Sequence, residues 1–156
     1  MVDTLPYGSW PSPLTASVVA AGSPRFEGAA FVASDIWWGE SVAEEGGRTA
    51  VRRRDADGAI RDVLAAPWNA RSRVHEYGGG SWAATDDGQL FFVEKSDQRV
   101  WTVREGGIPT PLTDDSGDTR YGGLSWQEDM LLAVREEHSD GAIPRRSIVS
   151  ISPSGE

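Results

Sequence analysis

One segment of the chain occurs twice, and the spacing of the two copies restricts the fold. Residues 77–82 read YGGGSW, and residues 121–126, 44 positions further on, read YGGLSW. An apolar segment follows each copy, LFFVEK at 90–95 and MLLAVR at 130–135. A unit of about 40 to 50 residues that is built of short strands and turns is typical of the blades of a β-propeller.

Further strands recur at matching places in each copy. A third strand reads RVWTV at 99–103 in the first copy and SIVSI at 147–151 in the second, and a glycine-containing turn follows each. An earlier and more diverged copy supplies DIWWGE at 35–40 and RTAVRRR at 48–54. The segments AIRDVL and IPTPLT then add a fourth strand to the first two units. Unrelated hairpins would not keep the same turn at the same point, so the sequence predicts four-stranded antiparallel blades.

The composition favours the same fold class. Eighteen glycines, nine prolines and seven tryptophans in short alternating segments indicate strands and tight turns. One helix is predicted, over residues 12–22, because Ser12 suits the N-cap, Pro13 the first helical position and Gly22 the C-terminal stop. The predicted fold is therefore all-β, an incomplete β-propeller of about three blades preceded by a short N-terminal helix.

The predicted domain organisation is an N-terminal segment at 1–23 and a partial propeller at 24–156. Its blades span about 24–66, 77–113 and 120–156, and the last of them lacks its fourth strand. Propellers close with four to eight blades, and each blade covers its apolar faces with two neighbours. We therefore expect the chain to be a portion of a larger propeller that exposes apolar blade faces, through which it would self-associate.

Charge and residue usage exclude several classes of partner and site. The formal net charge of −9 argues against nucleic acid or an anionic membrane as a partner. Cysteine is absent, so neither a disulfide framework nor a thiolate zinc site can form. The first residues lack the pattern of a secretory signal, and no apolar run approaches the ~20 residues of a membrane helix. The expected location is cytoplasmic, and no cofactor motif is visible.

Several of these segments together resemble a known family of serine peptidases. WPSPLTASVVAAG, RSRVHEYGGGSW, DQRVWTV, RYGGLSW and PRRSIVSI are similar, in order and spacing, to the N-terminal propeller of the prolyl oligopeptidase family. The closest branch is the one labelled dipeptidyl aminopeptidase or acylaminoacyl-peptidase. The resemblance implies a seven-bladed propeller that caps a C-terminal α/β-hydrolase domain carrying Ser, Asp and His. It also implies that the propeller gates and positions peptide substrates.

The catalytic motif of that family is not found in this sequence. The nearest string to G-x-S-x-G is GESVA at 39–43, which lacks the final glycine and is predicted to lie in a loop between two strands rather than on a strand-to-helix turn. Ser41 is therefore interpreted as a loop serine, and we expect no peptidase activity from these residues alone. A non-catalytic binding scaffold remains the alternative function. A propeller glycosidase would need converging carboxylates, for which Glu76 and Glu136 are weak candidates. Aminopeptidase, dipeptidyl and acylaminoacyl specificities are not distinguished.

Strand direction predicts which loops share a face of the propeller. Blade-to-blade crossings and the loops between second and third strands emerge on one rim. This places the crossing at 73–80 beside the loop at 135–146, and a carboxylate such as Glu76 could there bind a peptide ammonium group. The alternative is that Arg73–Glu76 and Arg135–Glu137 are structural ion pairs. The substrate-facing rim is predicted to comprise Arg73, His75, Glu76, Tyr77, Arg135, Glu136, Glu137 and His138.

Two further expectations concern side chains in these segments. The repeated tyrosines and tryptophans, among them Tyr77, are interpreted as packing residues of each blade. Pairs such as His75 with Glu76, or Glu136 with His138, could in principle bind a metal. Two histidines without a sustained ligand pattern favour hydrogen-bonding roles instead, so no metal site is predicted.

Overall fold

The chain folds into three antiparallel sheets, as a computed structural model shows for residues 4–9, 11–15, 18–19 and 24–154. In each sheet the strands follow one another in chain order, so every neighbouring pair is joined by a turn or short loop. A single turn of 3-10 helix, Ala43–Glu45, lies between the second and third strands. The first sheet comprises β1 (Phe26–Val32), β2 (Asp35–Val42), β3 (Arg48–Arg54) and β4 (Ile60–Leu64).

The other two sheets repeat this arrangement. The second comprises β5 (Trp82–Ala84), β6 (Gln89–Val93), β7 (Val100–Arg104) and β8 (Thr110–Pro111), and the third β9 (Thr119–Gln127), β10 (Met130–Glu137) and β11 (Arg145–Ile151). We call these sheets the first, second and third blades. The predicted all-β, incomplete propeller is confirmed. Within the described residues no helix is long and apolar enough to cross a membrane.

The short helix predicted over 12–22 is not established. Residues 16, 17 and 20–22 lie outside the described part of the chain. The described residues of this segment form local hydrogen bonds, among them one of 3.1 Å from the Val19 amide to the Thr15 carbonyl and one of 3.1 Å from the Leu14 amide to the Ser12 hydroxyl. The N-terminal helix therefore stays a prediction.

Two apolar cores lie between consecutive blades, and β6 contributes to both. Successive side chains of a strand point to opposite faces, so Leu90 and Phe92 pack toward the first blade while Phe91 and Val93 pack toward the third. All four of these side chains are fully buried. Phe91 stacks on Trp126 with ring centroids 5.3 Å apart. The second blade is thus held on both faces.

The second and third blades approach closely at their inner ends. Gly80 has φ +55°, and a Cβ atom there would lie 2.6 Å from Cα of Gly123. The amide of Gly123 donates to the Gly79 carbonyl (3.0 Å), and that of Leu124 donates to the Gly80 carbonyl (2.8 Å). Glycine is needed here both for the left-handed backbone and for the contact. Gly80 and Gly123 therefore allow the backbones of the two blades to come into contact.

The two copies of the repeated motif are not equivalent in three dimensions. Residues 121–123 lie inside β9, whereas residues 77–80 form an irregular crossing before β5. Tyr121 packs partly buried against the core, but Tyr77 is 97% exposed, so the prediction that Tyr77 packs within its blade is wrong. The physical reason is the left-handed backbone of the two preceding residues, which turns this loop outward.

Candidate functional site

A buried carboxylate joins the crossing at 73–80 to the third blade. Glu136 is the second-to-last residue of β10, and its side chain is only 1% exposed. Arg146 Nε donates to its Oε2 atom at 2.7 Å, and His138 Nε2 lies 2.8 Å from Oε1. His75 contributes both its Nδ1 atom, 3.2 Å from Oε2, and its backbone amide at 3.3 Å. One side chain therefore connects two strands and a loop.

These donors determine the protonation state of Glu136. Burial by itself raises the pKa of the carboxyl group, because a charged form loses its hydration. Hydrogen bonds from Arg146, His138 and the His75 backbone outweigh burial and lower the pKa to about 2. Glu136 is consequently ionised at neutral pH, and it is a structural anion of the rim.

Glu76, the acidic residue of the crossing itself, is held by an arginine that the sequence did not predict. Arg120 Nη1 donates to Glu76 Oε1 at 2.6 Å and to the Arg73 carbonyl at 3.2 Å. No Arg73–Glu76 ion pair is found in the described part of the chain, so that pairing was wrong. The Glu76 side chain nevertheless stays largely exposed to solvent. Glu76 therefore presents a fixed carboxylate at the rim.

The remaining predicted rim residues are placed as follows. The Arg73 side chain is exposed, and its amide donates to Oε1 of the buried Gln98 at 2.6 Å. Arg135 pairs with Glu137 at 3.6 Å, as one of the two proposed ion pairs requires. Tyr77 is exposed beside Glu76. The predicted residues thus lie around one rim, although whether they face a substrate stays a prediction.

Two arginines, Arg120 and Arg146, complete this cluster without having been predicted. Arg120 directly precedes the second YGG motif, and Arg146 is the second residue of β11, within the sequence PRR. The register Glu136↔Arg120 on one side and Glu136↔Arg146 on the other brings all three residues to the same end of the third blade. Cross-strand pairing of opposite charges was the signal that could have found them.

The cluster resembles a metal site in its spacing but not in its electrostatics. Glu76, Glu136 and His138 each offer a ligand atom, and these atoms lie within 4.8 Å of one another. Both carboxylates, however, already pair with the guanidinium groups of Arg120 and Arg146. A divalent cation would have to displace one of these cations. The arrangement fits an ion-pair network that orders the loop.

Asn69 anchors the start of the crossing between the first two blades. Its side-chain oxygen accepts a hydrogen bond from the Thr49 amide of β3 at 3.0 Å. The backbone amide of Asn69 donates to the buried Glu94 carboxylate at 2.9 Å. Ser72 continues the connection, since its hydroxyl donates to the Tyr121 carbonyl of the third blade. The segment at 69–80 is therefore pinned to all three blades.

Solved structures of other proteins share the architecture of this chain. No family model and no curated protein matches the chain. A puromycin-hydrolyzing peptidase of Mycobacterium tuberculosis is 36% identical, with a TM-score of 0.83 over 97% of this chain and 25% of that one. Puromycin hydrolase is 34% identical, with a TM-score of 0.82 over 99% of this chain and 26% of the other. A mutant of puromycin hydrolase in complex with PGG matches with a TM-score of 0.83 and the same identity.

The three blades and their glycine-rich crossing define a portion of a β-propeller. The similarity to these peptidases confirms the resemblance to the N-terminal propeller of the prolyl oligopeptidase family. The chain spans about a quarter of the length of each matched peptidase.

Proposed function

We propose that the chain serves a prolyl oligopeptidase-type serine peptidase as part of its propeller, where it gates and positions peptide substrates for an α/β-hydrolase domain. The similarity to a puromycin-hydrolyzing peptidase along 97% of the chain supports this role. The rim at 73–77 and 135–138 faces that domain, and peptides pass over it. In this proposal the peptidase belongs to the dipeptidyl aminopeptidase or acylaminoacyl-peptidase branch of the family.

Glu76 binds the amino terminus of the peptide in this proposal. The Arg120 guanidinium holds one carboxylate oxygen at 2.6 Å, while the side chain as a whole is 69% exposed. A carboxylate that is fixed in this way can accept charge-assisted hydrogen bonds from an ammonium group at little cost in side-chain entropy. Glu136 acts behind it, since its bonds to His75 fix the loop that carries Glu76.

The experiment compares two peptide amides on the chain itself. Ala-Ala-NH2 carries an ammonium group, and acetyl-Ala-Ala-NH2 does not. We expect NMR titration to show about fivefold tighter binding of the free amine, which corresponds to about 1 kcal/mol. Glu76→Gln should remove this preference. Glu128→Gln, an exposed acid in the β9–β10 turn at the opposite rim, is the matched control and should retain it. Equal binding of both amides by the unaltered chain would refute the role of Glu76.

A further inference from the structure

A second feature of the same rim is a cavity of about 280 Å³ between the first blade and the crossing that leads to the second blade. The start of β1, the β2–β3 connection and the crossing at 71–79 form its walls. Two arginines, Arg25 and Arg71, line it together with the hydroxyl-bearing residues Ser41 and Thr49. The rim cluster around Glu136 does not include these residues, so the cavity is a separate site.

Both arginines lack an acidic partner within the described part of the chain. Most other arginines are paired; Arg52, for example, contacts two carboxylates. Arg25 and Arg71 have exposed side chains, but their backbones are anchored. The Arg25 carbonyl accepts from the Ser41 amide (2.9 Å), and the Arg71 amide donates to the Val93 carbonyl (2.9 Å). Two unpaired cations on fixed backbone in a protein of net charge −9 indicate a binding site for an anion.

The local charge selects the type of anion. Glu27 also lines the cavity, so the charged side chains there sum to a single positive charge. A monoanionic carboxylate matches this charge better than a dianionic phosphate, which Glu27 would repel. Guanidinium groups bind carboxylates through paired, directional hydrogen bonds. The cavity therefore has the chemistry for one carboxylate.

We infer that this cavity binds the C-terminal carboxylate of a short peptide, an inference that rests on the proposed function and adds a length preference to it. Tyr77 lines the cavity, and Glu76 is its neighbour in the chain. The carboxylate that takes the peptide ammonium and the cavity that takes the peptide carboxylate consequently adjoin on one rim. Small free peptides can bridge the two sites, whereas C-terminally blocked peptides use only one.

The test uses four tripeptides that differ only at their ends. These are Ala-Ala-Ala, its acetylated form, its amide, and the form blocked at both ends, each titrated into the chain and followed by NMR. Acetyl-Ala-Ala-Ala with a free carboxylate should bind about fivefold or more tightly than the doubly blocked peptide. Raising the salt concentration to about 0.5 M should reduce this difference, because the contact is between exposed charges.

Substitutions assign the effect to the cavity. Arg71→Gln and Arg25→Gln should each remove the preference for the free carboxylate. Arg54→Gln is the matched control: Arg54 is exposed, has no ion pair among the described residues and lies at the opposite end of the first blade. It should leave the preference intact. Far-ultraviolet circular dichroism verifies that each variant is folded, and the two cavity variants test the inference independently.

The outcomes separate this inference from the proposed function. If the acetylated acid binds no better than the doubly blocked peptide, or if Arg54→Gln acts as strongly as Arg71→Gln, the carboxylate site is overturned. The preference for a free amino terminus is measured by comparing the amide of Ala-Ala-Ala with the tripeptide that is blocked at both ends. Its loss would overturn the role of Glu76 while leaving the cavity intact.

Discussion

The Nδ1 atom of His75 lies 3.2 Å from Oε2 of Glu136, and the two residues are 61 positions apart in the chain. This contact connects the crossing before the second blade to the second strand of the third blade. Glu136→Gln should therefore lower the free energy of unfolding by about 2–3 kcal/mol at pH 7, because Arg146 loses its buried counter-charge. Urea unfolding followed by tryptophan fluorescence measures the change.

Glu137→Gln is the control for that substitution. Glu137 is substantially exposed and contacts Arg135 at 3.6 Å, so its loss should cost less than about 0.5 kcal/mol. Equal effects of the two substitutions would contradict the assignment of Glu136 as the anchor of the loop.

The same carboxyl group makes stability depend on pH. Its pKa is about 2 in the folded chain, below the ordinary value of 4.5. A lowered pKa contributes stability that is present above pH 4.5 and is lost as pH falls toward 2. The difference in unfolding free energy between the unaltered chain and Glu136→Gln should shrink by about 3 kcal/mol over this window. Urea titrations at pH 6, 4.5 and 3 should record about 2 kcal/mol of this change, and a constant difference would show that folding does not lower the pKa of Glu136.

Gly80 should tolerate no side chain. Alanine there would place Cβ 2.6 Å from the Gly123 backbone, in addition to the cost of its φ of +55°. We expect Gly80→Ala to cost about 3 kcal/mol or more in thermal unfolding, from overpacking and backbone strain together. Gly106→Ala has a similar φ of +73° with nothing within 4 Å, so it should cost only about 1 kcal/mol. If the two substitutions lowered stability by the same amount, the cost at Gly80 would come from its backbone angle and not from the contact between the blades.

Trp82 provides a hydrogen bond between the first two blades. Its indole Nε1 donates to the Glu27 carbonyl at 2.7 Å, whereas the buried indole nitrogen of Trp37 has no partner among the described residues. Trp82→Phe and Trp37→Phe remove the same ring atoms from one core. Trp82→Phe should cost about 1 kcal/mol more, the typical net value of a hydrogen bond. Calorimetric unfolding measures both, and a larger loss at Trp37 would contradict this account.

The exposed face of the first blade should promote self-association. Phe31 is 77% exposed and pairs across the strands with the partly exposed Ile36. Sedimentation velocity should show association that increases with concentration and decreases in Phe31→Glu. Ile108→Glu, at an even more exposed turn position away from the blade faces, should change it less. A monodisperse monomer at all concentrations would refute this prediction.

Local sequence was sufficient for the strands and insufficient for the loop that carries the candidate site. The segment predicted at 48–54 is β3, Arg48–Arg54, because alternation and turn residues act over a few positions. The Glu76–Arg120 pair spans 44 positions and depends on the path of the crossing. That path follows from positive φ angles at His75 and Glu76, which such residues rarely adopt without tertiary contacts. The resemblance to a family identified the architecture, but it did not specify these contacts.

The glycine pair at the inner ends of the second and third blades has a geometric consequence for the whole ring. The blades of a propeller are arranged around a central axis, and the angle between two neighbouring blades is larger when they lie much closer together near the axis than at the periphery. Contact between Gly80 and Gly123 brings the distance between the two blades near the axis close to its minimum, which favours a large angle. Bulkier residues at these positions would reduce the angle, and more blades would then be needed to close the ring.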